Sequence, residues 1–266
     1  MSGPTVDRGL RMESPEPGIM LLTLARPQAR NAIDTALGTA LRDFFRPLVF
    51  DAGQLRCIVI TGEGDRAFCA GGDMKERQGM TDAQWFAQHA IFEEAFYAVM
   101  GCTVPVIAAV NGAAYAGGCE LALACDFVYA VPDARFALTE VSLGILPGCG
   151  GTQNLPRAVG LRRAKELLLT ASPFDAAQAQ AWGMVNRLVP RESLLDAALD
   201  AARRIAANAP LSVRQAKLAA GRGLDVDLRT GLAIELEAYR RTVVTEDRRE
   251  GAAAFAQKRA PVFKGC

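Results

Sequence analysis

The chain is 266 residues long, half of them apolar and 22% charged, the balance of an ordinary soluble globular protein with room for a large core. Its formal net charge of +1 speaks against a nucleic-acid binder, which carries a clear basic excess. No apolar run approaches the ~20 residues of a membrane span, and the polar start "MSGPTVDRGLRMESPEPG" has no secretory apolar core, so a soluble cytoplasmic protein with no membrane partner is expected.

Residues 1–18 read as a polar N-terminal extension. The next half of the chain alternates strand-sized apolar runs with helical stretches. "IMLLTLA" (19–25), "CIVITG" (57–62), "VPVIAAV" (104–110) and "DFVYAV" (126–131) are apolar on both faces, as strands buried between layers in a parallel sheet are. Between them, residues 32–50 carry apolar side chains at helical spacing, and a second helix is predicted over 82–100 with Thr81 as its N-cap. This alternation predicts an α/β fold. From about Leu161 the character changes to Ala-rich helical segments without strands between them: "RRAKELLLTA", "DAAQAQAWGM", "ESLLDAALDAARRIAANA", "VRQAKLAAGR" and two more helices after Asp225. No linker divides the chain. A core over 19–200 and a helical region over 201–266 are expected, and the basic stretch "DRREGAAAFAQKRAPVFK" (247–264) reads as a solvated helix face.

Elimination narrows the chemistry. The single histidine, His89, falls on the stripe Trp85–His89–Phe92–Phe96 of the second helix, a core or boundary position that disfavours a Ser–His–Asp or Cys–His mechanism. Seven cysteines (Cys57, Cys69, Cys102, Cys119, Cys125, Cys149 and Cys266) have no C-x-x-C spacing; they read as reduced core filler, with no metal site. There is no phosphate loop and no dinucleotide fingerprint after a strand. Any catalysis must come from carboxylates, backbone N–H groups and a substrate that carries its own handle.

Two glycine-rich turns each follow a strand and open toward a helix: "AFCAGGDMKER" (67–77) and "NGAAYAGGCELALACD" (111–126). Singly, each is accounted for as a tight strand-to-helix turn; together, one unpaired N–H from each could converge on a single oxygen. Glu120 gives the second turn its interest. It lies in a helix apolar all round, with Leu123 and Ala124 at i+3 and i+4, so no cation on its own helix answers it. A second acid, Glu140, follows a short strand-like run (135–138) and precedes the Gly-rich turn 147–151; it reads equally as a helix-start acid or as a catalytic one. Two carboxylates beside an oxyanion site suit proton transfer at the carbon next to a carbonyl.

These segments resemble the crotonase, or enoyl-CoA hydratase/isomerase, family, through "LARPQARNAI", "AFCAGGDMKE", "PVIAAVNGAAYAGGCELALACD", "EVSLGILPGCGGTQNLPRAVG", "AWGMVNRLVP" and "EDRREGAAAFAQKRAPVFKG" in the family's order and spacing. The resemblance implies a spiral of ββα units followed by a helical oligomerisation region, assembled as a homotrimer or a homohexamer of two trimers. It implies an oxyanion hole from the N–H groups of Gly72 and Gly117, two glutamates at Glu120 and Glu140 that hold and activate a water, and the Gly148 N–H orienting that water. Ala29, Arg30, Ala70, Asp73, Met74 and Lys75 would line the coenzyme A channel, with Lys264 near its phosphates. No cofactor is implied, because coenzyme A arrives as part of the acyl-CoA thioester. Two departures stand out: Gln28 where the family often has a basic residue, with Arg30 two places on, and Leu138-Thr139 where mitochondrial-type hydratases carry Gln-Pro. The "DMKER" stretch is closer to methylglutaconyl-CoA-hydratase-like members.

The expected reaction is reversible syn addition of water to a 2-enoyl-CoA. A Δ3–Δ2 enoyl-CoA isomerase using one glutamate is the rival within the family. RNA binding, suggested by the methylglutaconyl-like stretch and the Arg-rich end, is opposed by the near-zero net charge, and a silent CoA-binding subunit is opposed by the intact glutamates.

Overall fold

In the computed structural model, which describes residues 5–266, residues 5–16 of the polar opening stretch are built into the sheet rather than standing apart as an extension. Thr5–Asp7 (β1) and Leu10–Glu16 (β2) pair antiparallel, and β2 pairs antiparallel with Ile19–Leu24 (β3). The turn between β1 and β2, Arg8-Gly9, has φ of +48° and +82°, a twist that suits a two-residue hairpin.

The chain then runs through Thr35–Leu48 (α1), Cys57–Gly62 (β4), Ala67–Cys69 (β5), Met74–Arg77 (α2), Asp82–Met100 (α3), Val106–Val110 (β6), Ala113–Tyr115 (β7), Gly117–Ala124 (α4), Phe127–Ala130 (β8) and Arg135–Ala137 (β9). It continues with Gly151–Val159 (α5), Leu161–Thr170 (α6), Phe174–Asp175 (β10), Ala176–Ala181 (α7), Arg187–Leu188 (β11), Leu194–Ala206 (α8), Pro210–Gly223 (α9), Leu228–Val243 (α10) and Glu246–Ala256 (α11). The helices begin where short polar side chains take up orphan N–H groups. Asp34 accepts from Leu37 N–H (2.8 Å), and Thr81 with Gln84 closes a capping box on α3.

Two sheets result. The larger has the order β1-β2-β3-β4-β6-β8-β11, and from β3 onward its strands are parallel. Every residue of β6 is buried: β4 and β8 flank it in the sheet, and α8 and β5 pack against it. The smaller sheet has the order β10-β9-β7-β5, with β5, β7 and β9 parallel and β10 antiparallel on the edge. The helical second half begins at α5, ahead of the expected Leu161, and β10 and β11 interrupt it to complete both sheets. No helix among the described residues is long and apolar enough to cross a membrane.

Polar side chains hold the connections. Lys217 on α9 pairs with Asp126 (2.6 Å) and donates to Val104 O (2.9 Å), tying the terminal helices to the sheet. Asn31, fully buried with φ +56°, accepts from Arg26 N–H (3.1 Å) and donates to Glu63 O (3.0 Å) and Ala67 O (2.8 Å). It joins the exit of β3 to the turn before β5. Asn31→Ala strands these buried groups and puts a methyl side chain at a left-handed position; a loss of about 2–4 kcal/mol is expected, read as a fall in Tm of about 5–10 °C.

Candidate active site

The three parallel strands β5, β7 and β9 lie side by side and point the same way, so their C-terminal ends deliver three turns to one place. β5 leads to Gly71-Gly72, β7 to Ala116-Gly117, and β9 to Glu140. A crevice at the carboxyl ends of parallel strands is where α/β sheets bind ligands.

The first two turns touch. Gly71 has φ +92°, and a Cβ there would stand 2.8 Å from Ala116 Cβ and 3.1 Å from Gly117 N, so only glycine admits the approach. Ile33 fixes the strand side of this turn: its N–H donates to Gly71 O (2.7 Å), and its carbonyl accepts from Asp73 N–H (2.8 Å). Gly72 N–H is thereby left on the other side, 3.8 Å from the position a Cβ of Gly117 would occupy. Ala116, at φ +50° and ψ −126°, spends its own N–H on Ala137 O (2.8 Å) and starts α4. Among the described residues neither Gly72 N–H nor Gly117 N–H donates to any protein acceptor. Two unspent donors therefore sit side by side.

Two acids stand beside them. Glu120, 3% exposed, accepts from Cys149 N–H and Gly151 N–H through one oxygen (2.8 Å each). The charge with no cation on its helix is thus answered by main-chain donors at the start of α5. Burial raises the Glu120 pKa above the ordinary value, while these two N–H groups oppose the rise. Glu140, 6% exposed, has its Oε2 without any partner among the described residues. Burial first, and the neighbouring Glu120 charge second, push its pKa up to about 7. The environments of the two carboxyls differ: two backbone N–H groups counter the effect of burial on Glu120, whereas Glu140 is pushed up to about 7.

The remaining sequence-predicted residues fall into three groups. Arg30, Ala70 and Asp73 gather at the first turn: Ala70 N–H donates to Arg30 O (3.1 Å), and Asp73 caps α2 at Lys75 N–H (3.0 Å). Ala29 precedes Arg30 in the same turn, and Met74 and Lys75 are exposed on α2. Burial works against the Asp73 charge, but Arg26 (2.9 Å), itself paired with Asp34 (3.0 Å), and the α2 N–H groups hold its pKa below the usual range. Gly148 lies between Glu140 and α5 with the His89 ring packed on it; His89 pairs with Glu93 (3.1 Å) and keeps its boundary position. Lys264 does not join them within one chain. Asp247 accepts from Lys264 N–H (2.7 Å) and Gly265 N–H (2.8 Å), folding the tail onto α11. This leaves Lys264 beside Gly53 and Arg56 at the opposite end of β4 from the site, roughly 17 Å of strand away. The Cys149 and Gly151 donors went unforeseen; the signal that could have found them is the "PGCGG" turn opening α5, which offers free N–H groups to an anion.

Comparisons with known proteins place the chain in a family. The family model described as enoyl-CoA hydratase/isomerase matches residues 14–266. The chain is 43% identical over 245 residues to YngF of Bacillus subtilis (strain 168), named for the same family, covering 92% of this chain and 94% of that one. It is 40% identical over 258 residues to human mitochondrial methylglutaconyl-CoA hydratase, covering 96% of this chain and 76% of that one. The crystal structure of an enoyl-CoA hydratase from Bacillus anthracis superposes with a TM-score of 0.94 at 41% identity, covering 97% of this chain and all of that one. With matching motifs, fold and near-complete coverage, the chain belongs to the enoyl-CoA hydratase/isomerase family.

Proposed function

We propose that this protein hydrates 2-enoyl-CoA thioesters to 3-hydroxyacyl-CoA, by reversible syn addition of water. The observation that carries the reading is the pair of buried acids, one of them held by two backbone N–H groups, set beside two unspent backbone donors. Gly72 and Gly117 N–H groups bind the thioester oxygen and stabilise the enolate charge that develops there. Glu120 takes a proton from water, the hydroxyl adds to C3, and Glu140 gives its proton to C2; the proton then passes from Glu120 back to Glu140 through solvent, restoring the starting state. No cofactor enters beyond the coenzyme A that the substrate carries. The resemblance assigns self-association to the helical region, and Leu224, Leu228, Leu232, Leu236 and Tyr239, exposed around the α9–α10 pair, supply apolar surface for a trimer or a dimer of trimers. A reducing, cytoplasmic setting is supported by six cysteines buried as free thiols.

The test is loss of the conjugated-thioester absorbance of crotonyl-CoA on incubation with the protein, with 3-hydroxybutyryl-CoA identified as the product. A double-bond shift of a 3-enoyl-CoA without any hydrated product would overturn hydration in favour of isomerisation. The pH profile follows from Glu140. It must be protonated to act, so kcat is expected to fall as pH rises through about 7. Stability moves in the same sense. Folding raises the Glu140 pKa from 4.5 to about 7, so its contribution is full below about 4.5 and is lost as pH rises to about 7. Urea midpoints measured across that window check the direction.

A further inference from the structure

Gly72 takes an ordinary backbone conformation, with φ outside the left-handed range that favours glycine. What requires a glycine there is Arg77, the last residue of α2. A Cβ on Gly72 would have three atoms of that side chain as its nearest contacts: the guanidinium carbon at 3.2 Å, Nη1 at 3.4 Å and Nη2 at 3.5 Å. Three nearly equal distances, the shortest to the central carbon, lay the flat face of the group over Gly72. Its N–H donors therefore point past the glycine rather than at it. A Cβ position lies about 2.5 Å from its own nitrogen, so the guanidinium carbon stands within about 6 Å of Gly72 N.

The group is held in place. The Trp85 ring centroid is 4.3 Å from the guanidinium carbon and that of Phe92 5.4 Å, and Arg77 Nε donates to Gln88 Oε1 (2.7 Å). Its charge is also kept unquenched, because the two acids of the same stretch are engaged elsewhere. Gln88, 3% exposed, donates to Glu76 Oε2 (2.7 Å), which accepts from Thr35 N–H as well (2.9 Å). The glutamine thus stands between Glu76 and Arg77 as a neutral spacer. Asp73 is spent on Arg26 (2.9 Å) and on Lys75 N–H (3.0 Å). Among the described residues Arg77 makes no ion pair, and neither Nη1 nor Nη2 has a hydrogen-bond partner. Withholding a counter-charge from a half-buried cation is costly. A fixed charge beside a donor strengthens that donor most where no acid cancels its field.

Resting on the hydratase reading of this site, we propose that Arg77 is a positioning residue acting through Gly72: it backs the Gly72 donor, and its fixed positive charge strengthens the pull of that donor on the thioester oxygen as the enolate forms. Across a separation of this order, in a cleft screened from water, one such charge is worth about tenfold in rate. Gln88 and Trp85 keep the charge where it acts, and the missing side chain of Gly72 lets it come close.

The test reads the potential at the thioester oxygen directly. In 4-dimethylaminocinnamoyl-CoA an electron-rich ring is conjugated to the thioester, so its absorbance moves to longer wavelength as the oxygen draws more electron density. The spectrum of the fully bound probe is recorded with wild-type protein, Arg77→Met and Arg77→Lys. A red shift is expected in the wild type, a clearly smaller one in Arg77→Met, and recovery of most of the difference in Arg77→Lys, which restores the charge without the flat face. On crotonyl-CoA the same order is expected in kcat, about tenfold lower in Arg77→Met with KM changed by less than about twofold. No red shift in the wild type, or one that survives in Arg77→Met, overturns the proposal. So does Arg77→Lys behaving no better than Arg77→Met, the outcome of a packing role alone. A rise in KM with kcat unchanged, as a contact to the coenzyme A moiety would give, overturns it too. The hydratase reading is judged separately, by the product from crotonyl-CoA. If none forms, the three bound spectra still decide whether Arg77 acts on the oxygen.

Discussion

Glu120→Gln and Glu140→Gln are each expected to lower kcat on crotonyl-CoA by about 10²–10⁴-fold, with KM little changed. Glutamine keeps the volume of glutamate, and at position 120 its amide oxygen still accepts the Cys149 and Gly151 N–H groups, so the turn before α5 should stand. What is lost is proton transfer. The double variant should be scarcely slower than the slower single variant, because base and acid act in one event. The two should differ in their pH profiles: with Glu140 gone, the fall in rate through about pH 7 should vanish. Full turnover in both single variants would remove the glutamates from the mechanism.

The second large effect is expected at Gly118, the second residue of α4. A Cβ there would overlap the carbonyl oxygen of Cys69 and stand 2.7 Å from its carbonyl carbon and 2.8 Å from its Cβ. Alanine normally favours a helix over glycine by about 1 kcal/mol. Here the obstacle is the backbone of β5, which no rotamer change relieves, and sterics win. Gly118→Ala should cost about 3 kcal/mol or more, a fall in Tm of about 6–12 °C. Any protein that folds must push β5 and α4 apart, separating Gly72 from Gly117, and should lose about 10²–10³-fold in kcat as one thioester donor moves out of reach. Gly221→Ala in α9, where no other atom lies within 4 Å of the new Cβ, is the control and should be neutral or slightly stabilising. Equal stability for the two variants would contradict the close approach of the two turns.

The sequence disclosed most where burial dictates composition. β3, β4, β6 and β8 are apolar on both faces, and α3 carries its capping box at Thr81, so these elements stand within a residue or two of where their pattern places them. β1 and β2 escaped because an edge hairpin is only half-buried; Arg11 pairs there with Glu13 (3.0 Å) and Glu63 (2.7 Å), and its polar residues read as an extension. β5, β7, β10 and β11 are two or three residues long, and their extended state comes from the strands beside them rather than from any local pattern. In the site, glycines and lone acids were legible because each is an expense that a plain core does not incur. The partners of Glu120 were not, since they are main-chain groups 29 and 31 residues further on, invisible to a search for cationic side chains.

The order of the smaller sheet has a consequence for how activity arises along the chain. β5, β7 and β9 each lend one part of the proposed constellation, and the turn into α5 then supplies the N–H groups bonded to Glu120. No stretch shorter than 72–151 holds them all. The proposed site therefore forms only when these passes are docked together, so its geometry is set by the tertiary fold and by no local segment.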